Sequence, residues 1–208
     1  MEEIKIRKAA LSDIPYFYEI CLKTGDNGKD AAELFFDPYL IGNYFAAPYL
    51  IFPDSICFTA ESANRPQGYI IAAPDTAAFD KWLEEKWLPP LRERYAKPFT
   101  PEMIRSDKEE WILNSIHEKK FPADASNDKI DGYPAHLHID LLPTLQGKGM
   151  GRKLMDTLIA ELGRQKVPGL HLGVSASNTG AVAFYQKLGF SVLIKEDWGF
   201  TMGIKISI

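Results

Sequence analysis

Residues 136–162 read HLHIDLLPTLQGKGMGRKLMDTLIAEL, and this stretch decides the fold. Its first residues alternate polar and apolar side chains, which is typical of a strand that buries one face. The glycine-rich turn of residues 146–151 follows, and the apolar residues after the turn recur at helical spacing. Those apolar residues are Leu154, Met155, Leu158, Ile159 and Leu162. A strand, a turn and a helix in this order predict an α/β sheet.

The chain after this helix continues the alternation of strands and helices. Residues 169–174 are the next predicted strand. Asn178 then caps a helix, and Gly189 supplies the left-handed residue that ends it. Two closing strands are predicted over residues 190–194 and 200–206.

The N-terminal part predicts further strands and short helices. Its predicted elements are a strand at 4–7, a helix capped by Ser12 or Asp13, one or two short helices within 29–52, and a hairpin of 56–60 and 67–72 across a turn at 62–66.

Before the strand at 136–142, the pattern of residues 75–132 predicts a helical insertion. Asp75 caps its first helix, which ends at Pro89-Pro90. A second helix covers about 107–120, with Trp111, Ile112, Ser115 and Ile116 on one face.

The composition of the 208 residues is that of an ordinary globular protein, with 46% hydrophobic and 25% charged residues. No linker or internal repeat divides the chain, so we expect one domain over residues 1–208. The net charge of −4 argues against a nucleic-acid-binding face. The first residues do not resemble a secretory signal, and no apolar run is long enough to span a membrane. The two cysteines, Cys21 and Cys57, do not form a C-x-x-C motif. We therefore expect a cytoplasmic protein with reduced thiols.

The glycine-rich turn is a candidate anion site, because backbone amides at a helix N-terminus bind phosphate and glycines let it approach. The dinucleotide fingerprint G-x-G-x-x-G fails, since Arg152 stands where its third glycine belongs. The Walker pattern also fails, because no Gly-Lys-Ser/Thr occurs at the right spacing. What remains is Q-x-x-G-x-G, formed by Gln146, Gly149 and Gly151.

This pattern resembles the acyl-CoA pyrophosphate loop, Q/R-x-x-G-x-G/A, of the GCN5-related N-acetyltransferases (the GNAT family). Pro143 precedes the loop, and residues 178–190 resemble the family's N-x-x-A-x-x-F-Y-x-x-x-G-F block. The resemblance implies an α/β fold with a central mixed, twisted sheet of about seven strands flanked by helices. The helical insertion of residues 75–132 then lies between strands 3 and 4.

More narrowly, the chain is similar to the acetyltransferase-like domains of the O-GlcNAcase group and their free-standing bacterial relatives. Residues 25–50, 87–98 and 133–140 carry this similarity. The eukaryotic domain of that group has lost the cofactor loop, whereas this chain keeps the Q-x-x-G-x-G residues. The resemblance therefore implies that this chain binds its cofactor.

The GNAT resemblance implies acetyl-CoA as the acyl donor and no metal. Backbone amides of residues 146–152 are expected to hold the pyrophosphate, with the side chains of Lys148 and Arg152 either adding charge or simply solvated. The pantetheine arm is expected along the strand before the loop, where the amide of Leu141 polarises the thioester carbonyl. The implied cofactor-binding residues are Ile139, Leu141, Leu142, Gln146, Gly147, Lys148, Gly149, Met150, Gly151, Arg152, Asn178, Ala181, Phe184 and Tyr185.

Three residues are candidates for proton transfer. Tyr185 matches the family position that protonates the leaving thiolate, and a phenol with a pKa near 10 is a proton donor at neutral pH. The alternative is a tyrosine that only packs beside the cofactor. His138 and Asp140 share one strand face with His136, and either is a candidate base for the attacking amine. Alternatively, a helix covers this strand face and its polar side chains form hydrogen bonds with one another.

The acceptor pocket is expected between the loop of residues 25–30, the aromatic segment up to Phe52 and the insertion. Asp26 and Asp30 either recognise a cationic acceptor or are solvated loop acids. The implied partner is a small-molecule or peptide amine, and a homodimer is consistent with the family.

The sequence thus favours an acetyl-CoA-dependent N-acetyltransferase that transfers acetyl to a primary amine by direct attack in a ternary complex. The alternative is a non-catalytic acyl-CoA-binding or protein-interaction module. A nucleotide-phosphate hydrolase is disfavoured, because the chain has neither a Walker lysine nor paired metal carboxylates.

Overall fold

The computed structural model describes residues 3–118 and 130–207. A mixed sheet runs through it in the order β1-β2-β3-β4-β5-β7-β6, and every neighbouring pair is antiparallel except β4–β5. The strands are β1 (Lys5–Lys8), β2 (Ile56–Ser62), β3 (Arg65–Ala73), β4 (Ala135–Leu141), β5 (Gly169–Ser175), β6 (Ser191–Lys195) and β7 (Gly199–Lys205).

Helices cover both faces of the sheet. They are α1 (Ile14–Thr24), α2 (Leu40–Phe45), α3 (Ala47–Ile51), α4 (Thr76–Trp82), α5 (Leu88–Arg94), α6 (Asp107–Glu118), α7 (Met150–Arg164) and α8 (Thr179–Lys187). A π-helical turn, Leu83–Trp87, joins α4 to α5. Helices α4, α5 and α6 lie between the third and fourth strands. The seven-stranded sheet and the place of this insertion confirm the predicted α/β architecture.

The alternating side chains of β3 divide the interior into two cores. Tyr69 and Ile71 belong to the core that α1–α6 build on one face, and Ile70 and Ala72 belong to the core beneath α7. All four side chains are fully buried, so β3 is an apolar run rather than a half-solvated strand. We call the first face of the sheet the insertion face and the second the α7 face.

Strands β4 and β5 separate soon after they begin. Only Ala135 and His136 of β4 pair with β5, opposite Leu170 and His171. On the outer sides, β4 stays paired with β3 as far as Leu141, and β5 stays paired with β7 over its whole length. The sheet therefore has a wedge-shaped gap at its centre, with intact ladders on both sides.

Most predicted helix boundaries are confirmed, but the cap of α1 differs. Asp13 stands at the cap position, yet its carboxylate makes no capping bond to the helix. It accepts two hydrogen bonds from Arg7, at 2.7 and 2.9 Å, and one from the amide of Ala10. A bidentate guanidinium satisfies both carboxylate oxygens more strongly than a helix amide does. The Arg7 guanidinium also lowers the pKa of Asp13.

Two predicted chain breaks are wrong. Pro89 and Pro90 do not end a helix; they lie in the first turn of α5. A proline has no N–H to donate, and the first turn of a helix needs none, so a new α-helical segment restarts here after the π-helical turn. The turn at 62–66 is also shorter than predicted, because β2 and β3 reach to Ser62 and Arg65. Ala63 and Asn64, at φ 52° and 60°, form the two-residue turn whose twist matches the strands.

Helix α6 differs in the face that it buries. Ile112, Leu113, Ser115 and Ile116 are buried, as the spacing predicts for three of them, but Trp111 is 42% exposed. Its indole instead lies against the ring of Phe45, 6.2 Å away, at the border of the insertion face. The predicted end of this helix at Lys120 lies outside the described residues.

The α7 face offers a test of the packing. Leu158 of α7 is fully buried, so Leu158→Ala is expected to lower the free energy of unfolding by about 2–5 kcal/mol through lost burial and a residual cavity. Leu11→Ala makes the same change at a side chain that is 62% exposed, and should cost less than about 0.5 kcal/mol. Urea denaturation followed by circular dichroism measures both; equal losses would contradict this account of the core.

Candidate functional site

A cleft of about 950 Å³ occupies the gap between β4 and β5. Its floor is the separated ends of the two strands, and its walls are the turn before α7, the helix α8 and the loop after α1. The cleft brings together residues that are far apart in sequence, from Thr24 to Leu188. Its size suits an extended organic ligand.

The turn before α7 forms a cradle of backbone amides at one end of the cleft. Gly147 and Gly149 have φ of 69° and 73°, and a Cβ added to either would meet no atom within 4 Å. In the described parts of the chain, the amides of residues 147–149 donate to no other group. Free amides at the N-terminus of a fifteen-residue helix attract an anion. The turn therefore fits a diphosphate, the group that the motif predicts here.

Two side-chain contacts hold this turn in place. Gln146 Nε2 donates to the carbonyl oxygen of Leu141 at 2.8 Å, which ties the turn to the end of β4. Gly151 faces the ring of Phe184, whose Cζ would lie 3.2 Å from an added Cβ. The third small residue of the motif thus lets α7 and α8 approach each other.

The amides of β4 alternate between β3 and the cleft. Leu142 N donates to Gln67 O at 2.9 Å, so the amide next to it, on Leu141, points away from β3. By the same alternation the amide of Ile139 also points toward β5, which has moved away beyond His171. Two strand donors therefore face the gap. The amide of Leu142 is already used within the sheet.

Helix α8 supplies the opposite wall. Asn178 accepts a hydrogen bond from the amide of Ala181 at 3.1 Å and so caps the helix, as predicted. Tyr185 lies one turn further on, buried among Phe184 and Phe190, and its hydroxyl has no hydrogen-bond partner in the described chain. Burial raises the pKa of Tyr185, and the negative charge of Asp140 raises it further. The phenol therefore keeps its proton at neutral pH.

Asp140 lies across the cleft on β4. Its Oδ2 accepts a hydrogen bond of 2.6 Å from the hydroxyl of Tyr69, and Tyr69 itself is stacked on Phe17 with ring centroids 4.6 Å apart. Burial raises the pKa of Asp140, while the hydrogen bonds from Tyr69 and Thr24 oppose that rise. The carboxylate is thus held in a fixed position with a higher proton affinity than a solvated aspartate.

The two histidines on the same strand face differ from each other. Both ring nitrogens of His136 are engaged, with Tyr49 Oη at 2.6 Å and Thr76 Oγ1 at 2.8 Å, so this ring is structural. His138 has no hydrogen-bond partner among the described residues and packs edge-on against Phe45 and Tyr49. Burial lowers the pKa of His138 to about 4, so its ring is neutral.

Most of the predicted site residues line this one cleft. They are His138, Ile139, Asp140, Leu141, Gln146, Gly147, Gly149, Met150, Gly151, Arg152, Asn178, Ala181, Phe184 and Tyr185. Leu142 and Lys148 are not among the lining residues. Arg152 does line the cleft, and its Nε lies 3.8 Å from the carboxylate of Asp156.

The loop after α1 adds residues that motif reasoning missed. Asn27, Gly28 and Lys29 line the cleft, whereas the sequence places this loop only at the acceptor pocket. The loop acids Asp26 and Asp30 are paired with Lys108 and Lys23, at 3.1 and 2.6 Å. The positive φ of Asn27 and Gly28, 51° and 85°, gives a tight turn whose place over the cleft only the tertiary structure reveals.

Two further features concern ligands and membranes. In the part of the chain that the structure describes, no three His, Cys, Asp or Glu side chains are grouped to hold a metal ion. Among residues 3–118 and 130–207, every helix is too short or too polar to cross a bilayer.

Comparison with known proteins assigns the chain to a family. The model of the acetyltransferase (GNAT) family matches residues 28–190, which is most of the chain and includes most of the residues that line the cleft. The chain belongs to the GNAT family. This confirms the resemblance read from the Q-x-x-G-x-G loop, the predicted enzyme class and the acyl-CoA donor.

Relatives of this GNAT protein include one solved structure of the same length. The crystal structure of SsHAT is 33% identical, covers 99% of this chain and 100% of its own, and superposes with a TM-score of 0.87. Protein O-GlcNAcase of Rattus norvegicus is 25% identical over 203 residues, 92% of this chain. This chain spans only 21% of that relative's length. The [ribosomal protein bS18]-alanine N-acetyltransferase of Escherichia coli K12 is 33% identical over 99 residues, 47% of this chain and 67% of the enzyme.

The amide cradle makes a prediction about coenzyme A. Gly149→Asp places a carboxylate where we expect the diphosphate to bind, in a backbone conformation that aspartate tolerates, so CoA affinity should fall at least about 100-fold. Gly189→Asp makes the same change at another left-handed glycine, φ 94°, outside the cleft, and should leave the affinity within about threefold. Isothermal calorimetry with CoA measures both. Equal affinities for the two variants would show that the turn does not hold the diphosphate.

Proposed function

We propose that this GNAT protein transfers the acetyl group of acetyl-CoA to a primary amine by direct attack in a ternary complex. The proposal rests on one observation, the set of chemical groups that a single cleft brings together. An amide cradle lies at one end, and two strand amides, a phenol and a half-buried carboxylate also face the cleft. These are the parts that acyl transfer requires: an anchor for the donor, an oxyanion site, an acid and a base.

The cradle and the gap together account for donor binding. The amides of residues 147–149 and the N-terminus of α7 bind the diphosphate, and the open edge of β4, apart from the amide of Leu141, pairs with the pantetheine arm as a neighbouring strand would. The bound donor supplies a thioester, which is an electrophilic carbonyl with a thiolate leaving group. The separation of β4 from β5 makes room for that arm inside the sheet.

The amide of Leu141 is our candidate for the oxyanion site. It points into the gap because its neighbour Leu142 is bonded to Gln67 on the other side. The hydrogen bond from Gln146 to Leu141 O fixes the same residue at the mouth of the cradle. One fixed donor of this kind lowers an acyl-transfer barrier by about 3 kcal/mol.

Asp140 is our candidate base. Its raised pKa gives it a greater proton affinity than a solvated carboxylate, and Tyr69 holds it in one orientation. His138 is the weaker candidate, because a pKa of about 4 leaves its ring with little affinity for a proton from an ammonium group. We therefore propose that His138 lines the cleft between the bound donor and the acceptor and that it does not remove the proton.

Tyr185 is our candidate acid. Its pKa is raised, its hydroxyl is free of partners in the described chain, and it lies close enough to Asp140 for that charge to affect it. A phenol in this state is available to protonate the departing thiolate. Acid and base then face the same cleft from its α8 wall and its β4 floor.

A non-catalytic acyl-CoA-binding module is the alternative function. The similarity to part of O-GlcNAcase motivates it. The retention of both an amide cradle and the Tyr185–Asp140 pair favours catalysis, since a module that only binds the donor needs neither of these two side chains.

Removing the phenol tests the acid. Tyr185→Phe should lower kcat about 100-fold with the most active acceptor from a panel of primary amines and leave the KM for acetyl-CoA within about threefold, because only the proton donor is lost. Tyr39→Phe removes a hydroxyl from an exposed tyrosine outside the cleft and should leave kcat unchanged. Release of free CoA thiol measures the rate. An unchanged kcat in Tyr185→Phe would exclude the acid role and favour the binding module.

The pH profile tests the base. Tyr69→Phe keeps the ring stacked on Phe17 but removes the hydrogen bond that lowers the pKa of Asp140. The carboxylate must be ionised to accept a proton, so the acid limb of kcat/KM should move to higher pH in this variant. Tyr16→Phe, at a tyrosine that does not contact Asp140, should leave the limb in place. A profile of kcat/KM from pH 4 to pH 9 decides between these results; an unmoved limb in Tyr69→Phe would rule out Asp140.

A further inference from the structure

Lys108 reaches from the insertion to the loop after α1, residues 25–30, which forms one wall of the cleft. It lies in the first turn of α6, and its two partners are 83 and 82 residues away in sequence. Its Nζ donates to the carbonyl oxygen of Gly25 at 2.8 Å and to Oδ1 of Asp26 at 3.1 Å. One ammonium group thus joins the insertion to the start of this loop.

The position of Lys108 is unfavourable for its own helix. The first turn of α6 carries Asp107, Glu109 and Glu110, whose negative charges suit the positive end of the helix dipole, and Lys108 is the exception among them. Gly25, by contrast, is the C-cap of α1, where the dipole is negative and a nearby cation is stabilising. The ammonium group is therefore stabilised by the end of α1 and not by α6.

The loop itself is a closed turn. Asp26 and Lys29 exchange two backbone hydrogen bonds, Asp26 N to Lys29 O at 3.0 Å and Lys29 N to Asp26 O at 2.9 Å. Gly28 N also donates to Thr24 O at 2.9 Å, which folds the turn back onto the end of α1. Because these bonds close the turn on itself, its direction over the cleft is set where it leaves the helix.

Gly25 is the residue at which the turn leaves α1, and little room surrounds it. A Cβ added to Gly25 would lie 2.9 Å from the carbonyl oxygen of Cys21 and would also collide with Ile41. Lys108 holds the carbonyl oxygen of the same residue. Within residues 3–118 and 130–207, no other side chain donates a hydrogen bond to Gly25 or Asp26. Packing and this one lysine thus set the direction of the loop.

The same junction reaches the candidate base. Thr24, the last residue of α1, is 4% exposed and lines the cleft with Asp140. Burial raises the pKa of Asp140, and hydrogen bonding from Tyr69 and Thr24 opposes that rise. Lys108 therefore bonds to the residue that directly follows a neighbour of the base.

We propose that Lys108 is a positioning residue for the acceptor: it holds the loop after α1 over the cleft, and this loop bounds the space in which the amine approaches Asp140. The inference rests on the proposed function. Lys108 is not among the residues that line the cleft, so it acts through Gly25 and Asp26. The expected diphosphate site lies on other walls, and donor binding should therefore not depend on Lys108.

Amide hydrogen exchange tests the positioning without any turnover. Lys108→Met removes the ammonium group but keeps an unbranched side chain, and the amides of residues 25–31 should exchange about tenfold faster because the loop opens more often. Lys81→Met removes an ammonium group from an α4 side chain that is 76% exposed, and should leave this exchange unchanged. Mass spectrometry of the peptides that cover the loop measures both. Equal exchange in the two variants would show that Lys108 does not hold the loop.

Steady-state kinetics tests the consequence for the acceptor. With the most active amine from the panel, Lys108→Met should raise the KM for the amine about tenfold and leave the KM for acetyl-CoA within about twofold. Lys108→Arg keeps a cation that can donate to the same two oxygens, so its KM for the amine should stay within about threefold of that of the unmodified chain. A general loss of stability would not separate the two KM values.

The contrary results are distinct from a failure of the proposed function. If the unmodified chain acetylates an amine but Lys108→Met changes both KM values equally, or neither, Lys108 does not position the acceptor and the proposed function stands. If only the KM for acetyl-CoA rises, the loop contributes to donor binding and the inference is wrong. If the unmodified chain acetylates no primary amine, the proposed function fails and the acceptor role of Lys108 fails with it.

Discussion

The separation of β4 from β5 is the constraint on which the rest of the site depends. Two paired positions hold the strands together, and beyond them the backbone of β4 has one side bonded to β3 and the other side open. Strand amides left open in this way need donors and acceptors from elsewhere, because unpaired buried amides are costly. A ligand that can act as a strand satisfies them. The gap in the sheet thus leaves strand amides that need hydrogen-bond partners, and the acyl donor of the family can supply them.

The helices of the insertion face determine the surroundings of the polar side of β4. Helices α1–α6 cover that side, which a two-layer sheet would leave in solvent. His136 meets this burial by hydrogen bonding to Tyr49 and Thr76, and Asp140 meets it through Tyr69. Helices therefore cover this face, and its one carboxylate, Asp140, lines the cleft.

The sequence predicts which residues of the glycine-rich turn and of α8 meet in the cleft, because the determinants of those two segments are local. Gln146, Gly149 and Gly151 lie within six residues, and their conformations depend on the turn that they form. Asn178 and Gly189 likewise act through the helix that they bound. The insertion face is different. A small cavity there is lined by side chains from α2, α3, α4, β4 and β5, and no spacing within one segment reveals that these side chains meet. The prediction that a helix ends at Pro89-Pro90 was wrong for a similar reason. Whether a proline ends a helix or begins one depends on the structure that precedes it.

The hydrogen bond between Gln146 and Leu141 ties the turn before α7 to the end of β4. The carbonyl that accepts it belongs to the same strand residue whose own N–H faces the gap. Under the proposed function, one side chain therefore supports both the group that grips the donor and the group that stabilises the oxyanion. A substitution at position 146 is expected to change acetyl-CoA affinity and turnover together.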